Sequence, residues 1–526
     1  MTAQGVRPDL IGDMLTFGAQ RSPDRVLFAI EGGDSRTYSE VDGRATRLAK
    51  SLLGRGLRRG DRLAVWADDS VEYLETYMAA ARAGLVMVPV NNRLTPQEAR
   101  YIVEDADARA LLVSDGLAER ADATFSAGDF ALVGTYGQDT ALGATRFEDL
   151  VAGDGVDALP QLDEEDLYII AYTSGTTGFP KGAMLTHRSL KNLARMNTVS
   201  YHLPLASVAA YTGSMSFTAT VCAFAMSHLF VGGSMHLLGK WDAGRAVDLV
   251  IRRSATFVYV PTPGMADFGA AVRERPEALD TLTTVLHSAS KAPAQRLAGL
   301  AEVVGPRLVE GWGMTEISGG IVTAFTGRDI LGPCDAMDLY DSVGRVTVDA
   351  SVEIVDEQRR PLPHDGKSEG ELAVRSTSLM AGYWHRPEAT AQSMQDGWYY
   401  SGDIGSIDPA GYVYVRERRV DMIVSGGMNI YPAEVEGVIA TLEGVEEVAV
   451  VAAPHERYGQ TVAAAVVVAR GARLTEADVI EHCRRHLASY KKPTVVRFVG
   501  ELPKTVSMKL KRQAIRAALF DGDRPS

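Results

Sequence analysis

Cysteine is nearly absent from this chain: three among 526 residues, at Cys222, Cys334 and Cys483. They show no metal-ligand spacing, and three scattered thiols make no disulfide framework. Reduced, buried thiols in a cytoplasmic protein are expected. A basic excess is also missing. The net charge is −13, which excludes a general nucleic-acid binder, because neutralising phosphates needs a basic surface. A phosphate ligand held by a few local charges stays allowed. Long apolar runs are lacking too. The longest, such as Val462 to Ala469, fall far short of the ~20 residues that cross a bilayer. Met1 to Leu10 holds no apolar signal segment. No membrane span is therefore expected, and no internal repeat or low-complexity tract is visible.

What is present is an ordinary globular composition, 46% hydrophobic and 23% charged. The length allows three or four domains, or a large α/β body with a small companion. Arg62 to Trp66, Val86 to Val90 and Ala110 to Val113 read as strands. Between the first two, Ser70 caps a helix that Gly84 stops. Before the third, Thr95-Pro96-Gln97-Glu98 forms a capping box with proline at the first helical position. This β-α-β-α-β order predicts a parallel sheet covered by helices. The rhythm continues through strand-like runs at 167–171, 208–211, 235–238, 256–260 and 284–288. Short strands and turns over 341–415 predict a β-rich subdomain. A new pattern begins near Arg418. The expected fold is thus α/β, with a large body at 1–417 and a small α+β domain at 418–526.

The most informative stretch is Tyr172-Thr173-Ser174-Gly175-Thr176-Thr177-Gly178-Phe179-Pro180-Lys181-Gly182. Small residues let backbone N–H groups approach an anion, hydroxyls add donors, and lysine adds a positive charge. It follows an apolar strand, where α/β sheets bind ligands. The glycine and lysine spacing is not that of the Walker loop. Taken alone, it also reads as a flexible linker. Four more segments share this ambiguity. Glu310-Gly311-Trp312-Gly313-Met314-Thr315-Glu316 offers a stacking face, a hydroxyl and a hard oxygen ligand, or a plain turn before a helix. Tyr400-Ser401-Gly402-Asp403 places a carboxylate that alone reads as a turn residue. Ser425-Gly426-Gly427 is a β-turn or a place of close backbone approach. Leu502 to Arg512, taken alone, reads as a solvated basic helix start.

Together, in this order and spacing, the five segments resemble the adenylate-forming superfamily of acyl-CoA synthetases, adenylation domains and beetle luciferases. The looser likeness covers nearly the whole chain. The resemblance implies an AMP-forming acid–thiol ligase: a carboxylic acid and ATP give acyl-AMP and pyrophosphate, then CoA gives acyl-CoA and AMP. It implies that Thr173, Ser174, Gly175, Thr176, Thr177, Gly178 and Lys181 hold the phosphates, and that Gly311, Trp312, Gly313, Met314 and Thr315 hold the nucleotide. Glu316 would bind Mg²⁺, Asp403 and Arg418 the ribose, and Ser425, Gly426 and Gly427 would line the pantetheine tunnel. Lys509 would be the catalytic lysine of adenylation, acting with Lys181, Thr315 and Glu316. The small domain would rotate about residues 418–420 between half-reactions. Two positions depart from the family pattern. Val420 stands at a hinge position often charged, and Met508 where glycine commonly precedes the lysine.

The acyl pocket implied by the resemblance uses Phe217, Ala219, Tyr259, Ser290, Lys291, Gly313 and Gly319. Segment 213–220 holds no aspartate of the kind that pairs with an α-ammonium in amino-acid-activating relatives. The expected acid is therefore hydrophobic, aliphatic, cyclic or aryl, and not an α-amino acid. Lys291 reads as a solvated loop charge or as a partner for a polar group on the acid. His228 and His287 read as core or surface residues, since the reaction needs no histidine base. The resemblance leaves open a carrier protein in place of CoA, a homodimer, and a nucleotide-binding regulator without turnover.

Overall fold

The computed structural model describes residues 10–138, 141–173, 180–288, 292, 294–331, 339–418, 423–430, 432–503, 510 and 512–520. The chain divides into two compact units. The larger comprises 1–92, 100–172 and 182–416, and the smaller 93–99, 173–181 and 417–526.

Two large sheets dominate the larger unit. One has seven strands, ordered Thr145–Arg146, Leu132–Thr135, Ala108–Val113, Arg62–Trp66, Val86–Val90, Leu167–Thr173 and Lys181–Thr186. The first six pair in parallel. The other has nine strands. Its parallel centre runs Leu308–Gly313, Thr284–His287, Phe257–Tyr259, Val208–Tyr211, Ser234–Leu237 and Val26–Ile30. Antiparallel strands close both edges. Parallel sheets need both faces covered, so their strands read as continuous apolar runs, as Val86–Val90 does, buried at every residue.

The helix Val71–Ala83 shows how local signals serve this packing. The Ser70 side chain accepts from the Tyr73 amide at 3.2 Å, and Gly84 ends the helix in the left-handed region at φ 69°. Eleven of its residues are buried, on all faces, as a helix enclosed by other elements requires. One hydrophobic cluster joins Leu63, Met87 and Ile169 of the seven-stranded sheet to Leu237, Phe257 and Leu286 of the nine-stranded one, through Tyr77 and Leu193 of intervening helices. The expected β-rich subdomain is a five-stranded antiparallel sheet of Ala350–Val355, Gly370–Ser376, Trp398–Ile407, Met394–Gln395 and Val413–Arg418.

The smaller unit holds a mostly antiparallel sheet of Ile423–Ser425, Met428–Ile430, Gly459–Val468, Val445–His455 and Val495–Phe498, with helices Pro432–Ile439, Glu476–His486 and Arg512–Phe520. Its core is built from valine, isoleucine and alanine of the central strands. Among the described residues of the whole chain, no helix is long and apolar enough to cross a membrane. Cys222 and Cys483 are buried free thiols.

Candidate active site

The strand Leu308–Gly313 ends where the nine-stranded sheet stops being parallel. On one side it pairs in parallel with Thr284–His287, on the other antiparallel with Ile321–Thr326. The antiparallel register slips between Trp312 and Gly313. Glycine is required there: a methyl group at Gly313 would collide with the Gly320 carbonyl oxygen, and one at Gly311 would lie 2.8 Å from the Thr323 carbonyl oxygen. This close crossing turns the chain into the 3₁₀ turn Thr315–Ile317. Ser318 and Gly319 then both take left-handed backbone, at φ 64° and 86°.

Three side chains converge on this turn. The half-buried Trp312 indole donates from Nε1 to Asp403 Oδ2 at 3.0 Å. Asp403 is only 2% exposed. It does not sit in a turn, as its local sequence read by itself implies. It lies inside the long strand Trp398–Ile407, at a bulge where pairing slips from Ala373↔Tyr400 to Glu371↔Ile404. Gly402 at φ 76° makes the bulge, and its amide donates to Glu371 Oε1 at 2.9 Å. Bulges of this kind re-aim a side chain without ending the strand. Glu316 is held twice. Its Oε1 accepts from the Tyr383 hydroxyl at 2.8 Å, and its backbone carbonyl accepts from the Met380 amide at 2.8 Å. Tyr399 lies 3.3 Å from the same tyrosine hydroxyl.

A second group gathers at neighbouring strand ends. His287 and Glu310 stand opposite each other in register on adjacent parallel strands. The fully buried His287 Nδ1 meets the Glu310 carboxylate in a short contact, and its Nε2 lies 2.8 Å from Thr262 Oγ1. Tyr259 donates to the Ser288 carbonyl at 3.4 Å. Burial, with the Glu310 charge second, holds its phenol above the ordinary range. Phe217 and Ala219 are half-buried, where Ser214 and Met215 both donate to Asp69 Oδ1, at 3.0 and 2.6 Å. Ala219 opens a π-helical segment, Ala219–Ala225. A methyl group at Gly319 would lie 2.7 Å from Thr218 Cγ2, so the turn after Glu316 adjoins the start of this segment.

Residues 16–384 match the family model described as AMP-binding enzyme, and residues 434–509 the one described as AMP-binding enzyme C-terminal domain. The chain belongs to the AMP-binding enzyme family. A feruloyl-CoA synthase of Amycolatopsis sp is 35% identical, over 92% of this chain and 94% of its own. The long-chain-fatty-acid–CoA ligase FadD13 of Mycobacterium tuberculosis is 32% identical, over 96% of this chain and 98% of its own. Among solved structures, the amide bond synthetase McbA of Marinactinospora thermotolerans matches with a TM-score of 0.86 at 25% identity, covering 97% of this chain and 99% of that one. This AMP-binding enzyme is an AMP-forming ligase of the adenylate-forming superfamily, in the acyl-CoA synthetase branch that its motifs resemble.

In the smaller unit of this AMP-binding enzyme, Lys181 is the first residue of the strand Lys181–Thr186, and its carbonyl accepts from Thr173 Oγ1 at 3.4 Å. Arg418 ends the strand Val413–Arg418. Ser425 pairs with Met428 across a two-residue hairpin turn made by Gly426 at φ 57° and Gly427 at φ 81°. Positive φ at both central residues is what the tightest hairpin turns demand. Ser174, Gly175, Thr176, Thr177, Gly178, Ser290, Lys291, Val420, Met508, Lys509 and Cys334 lie outside the described residues.

Sequence reasoning passed over Tyr383, whose only local signal is an aromatic after Gly382. It also passed over the Glu310–His287–Thr262 chain, which needs strand register to see. Lys491 was missed as well. It is 3% exposed, with its ammonium 2.7 Å from Glu434 and 2.8 Å from Glu98, both counted in the smaller unit. Burial works to lower its pKa, but the two carboxylates outweigh that and raise it.

Proposed function

We propose that this enzyme is an ATP-dependent acyl-CoA synthetase acting in the cytoplasm on a hydrophobic carboxylic acid that is not an α-amino acid. What supports the nucleotide role is one contact: an indole and a nearly buried carboxylate, 91 residues apart in sequence, meet at 3.0 Å beside the Thr315–Glu316 turn. The indole supplies a stacking face for a base. The carboxylate is an acceptor for ribose hydroxyls. Asp403 and Arg418 would hold the ribose, while Lys181 and the hydroxyls of 173–177 would hold the β- and γ-phosphates.

A carboxylate is a poor acylating agent because oxide would have to leave. Attack on the α-phosphorus forms a mixed anhydride and expels pyrophosphate, and negative charge gathers on the α-phosphoryl oxygens as the bond forms. The protein's task is therefore positioning and electrostatics. Lys509 would neutralise the two approaching anions, and Thr315 would donate to the α-phosphate. Glu316 fits a magnesium ligand: a hard oxygen donor, half-buried, with one oxygen already oriented by Tyr383. Mg²⁺ held there with phosphates and waters would offset phosphate charge. In the second half-reaction, domain 418–526 would turn about residues 418–420, withdrawing Lys509 while the Ser425–Gly427 turn admits the thiol. Body 1–417 would keep the acyl adenylate dry.

The feruloyl- and fatty-acyl-CoA relatives, with Phe224 of the π-helical segment and Tyr259 placing their rings 5.2 Å apart, support an aryl or long apolar acid. The likeness to an amide bond synthetase favours one second reading, in which an amine takes the place of the thiol. The test is a panel of aryl, cyclic and aliphatic acids with ATP and Mg²⁺, each with CoA, with a simple amine, or with neither. Products are identified by mass. Acyl-AMP alone, converted to acyl-CoA when CoA is added, is the expected result. Amide without thioester would select the second reading. Nucleotide binding with no acyl-AMP from any acid would sink both.

A further inference from the structure

The acyl wall has an unusual backbone. A π-helix bonds i to i+5, is rarely stable for more than one turn, and occurs frequently at functional sites. Here it runs for seven residues, Ala219–Ala225, before the α-helix Met226–Phe230 continues. A change of register by one residue swings side chains about 100° around a helix axis. Whatever holds this segment in its register therefore decides which side chains face the pocket.

Two adjacent carbonyls at its end carry side-chain hydrogen bonds. The Ala223 oxygen accepts from Asn197 Nδ2 at 3.2 Å and from Ser227 Oγ at 2.6 Å. The Phe224 oxygen lies 2.9 Å from His228 Nδ1, which must donate because a carbonyl only accepts. Ser227 and His228 reach back four residues along their own helix, a pattern that bends helices. Asn197 differs, because it comes from the helix His187–Ser200.

Asn197 is 0% exposed. One of its amide N–H groups goes to Ala223, and its Oδ1 has no protein hydrogen-bond partner among the described residues. A methyl group at Gly320 would strike Leu193 Cδ1 first, with the Asn197 oxygen next to it at 3.2 Å. Gly320 follows Gly319, which abuts Thr218. One buried amide thus bonds the π-helical segment and, together with Leu193, flanks the glycine turn after Glu316.

We propose that Asn197 is a specificity-determining positioning residue, which sets the width of the acyl pocket by pinning the Ala223 carbonyl on one side while it flanks Gly320, beside Leu193, on the other. The inference rests on the acid-activating reading given above. Asn197 touches no reacting atom. Its loss frees the π-helical segment to relax in register and changes which acids fit, while the nucleotide contacts of Trp312 and Asp403 stay intact.

The test compares Asn197→Leu and Ser227→Ala with the wild type, following acyl-AMP formation from one aryl and one straight-chain acid. A change of one methylene in such a pocket is worth roughly 10–200-fold in discrimination. Asn197→Leu is expected to shift the aryl-to-aliphatic ratio of kcat/KM by at least about ten-fold on that scale, with the KM for ATP unchanged. Ser227→Ala should shift the ratio in the same direction but less, because Asn197 still holds the carbonyl. A general loss of stability would lower both acids alike. If Asn197→Leu does not fold, Asn197→Ala removes the same hydrogen bond without adding bulk and carries the test with Ser227→Ala. An unchanged ratio in the folded variants overturns this inference and leaves the ligase reading standing. A wild type that forms acyl-AMP from neither these acids nor the wider panel overturns both.

Discussion

In the larger unit the polar groups of the candidate site are buried or half-buried and tied to one another. Trp312 is bonded to Asp403, Tyr383 to Glu316, and His287 to Glu310 and Thr262. In the smaller unit the Ser425–Gly427 turn is open. A methyl group at Gly427 would meet nothing within 4 Å. The buried polar group of that unit, Lys491 with Glu434 and Glu98, lies elsewhere, bonded to carboxylates on both sides. Groups fixed by several bonds suit a step whose barrier is electrostatic, because they need no reorganisation when charge develops. An open two-glycine turn suits a step that needs access for an incoming nucleophile. On the proposed reading, adenylation would rest chiefly on the larger unit's fixed groups and acceptor entry on the smaller unit's turn, with Lys509 serving the first step.

That lysine gives the largest expected effect. Lys509→Ala should lower acid-dependent ATP–pyrophosphate exchange by about 10²–10³, the usual cost of removing one charge-stabilising donor. Thioester formation from supplied acyl adenylate should survive. Equal loss of both half-reactions in a folded variant would break the division.

Acid should separate the two units next. His187 and His228 are buried in the larger unit, and burial holds both imidazoles down at about 4, from an ordinary 6.5. Their protonation is favoured in the unfolded chain first. The stability they confer is complete above about 6.5 and is lost as pH falls through about 4. The deficit at the acid end is roughly 3 kcal/mol for each imidazole. Lys491 has a raised pKa, so its contribution is present below its unfolded value and lost only in alkali. Hydrogen exchange at pH 7 and at pH 4.5 should therefore show the peptides of His187–Ser200 and Met226–Phe230 losing more protection than Gly459–Val468, whose unit has, among its described residues, one histidine of lowered pKa, the less buried His482. Uniform loss across both units would remove the distinction.

A smaller effect tests whether the larger unit's bonds matter to the nucleotide. Trp312→Phe keeps a stacking face but removes the donor to a nearly buried carboxylate. The cost should be about 1–3 kcal/mol, read as a raised KM for ATP with the acid KM unchanged. An unaltered ATP KM would mean that this bond does not serve the nucleotide.

The same contrast marks what was legible in the residues. Parallel strands such as Arg62–Trp66 and Val86–Val90 announce themselves as apolar runs, and Ser70, Gly84 and Thr95 mark helix ends by chemistry that acts within four residues. The family of the nucleotide motifs was readable because glycine, aromatic and acid stand close together at 311–316. Features made by pairing across long separations were not readable. The bulge at Asp403 depends on slippage against Glu371 and Ala373. His287 meets Glu310 only because two strands share a register. The π-helical segment lies in an apolar run whose residues say buried helix and nothing about its hydrogen-bond register. Lys491 sits in a stretch with another lysine beside it, and local sequence does not tell which of the two is enclosed.

The smallest effect bears on the open turn itself. Gly426 and Gly427 both have left-handed backbone, but their surroundings differ. A methyl group at Gly426 would come within 3.0 Å of the Tyr458 ring, so a substitution there mixes backbone strain with a clash. At Gly427 only the backbone term remains. Alanine there costs roughly 1–2 kcal/mol, the penalty of a side chain in the left-handed region. It leaves the strands Ile423–Ser425 and Met428–Ile430 paired, since neither glycine's side belongs to their register. Gly427→Ala should thus leave ATP–pyrophosphate exchange at its wild-type rate and slow acyl-CoA formation several-fold. An equal fall in both would mean that the turn serves the stability of its unit and not the entry of the acceptor. Slowed exchange with normal thioester formation would reverse the assignment of the two units.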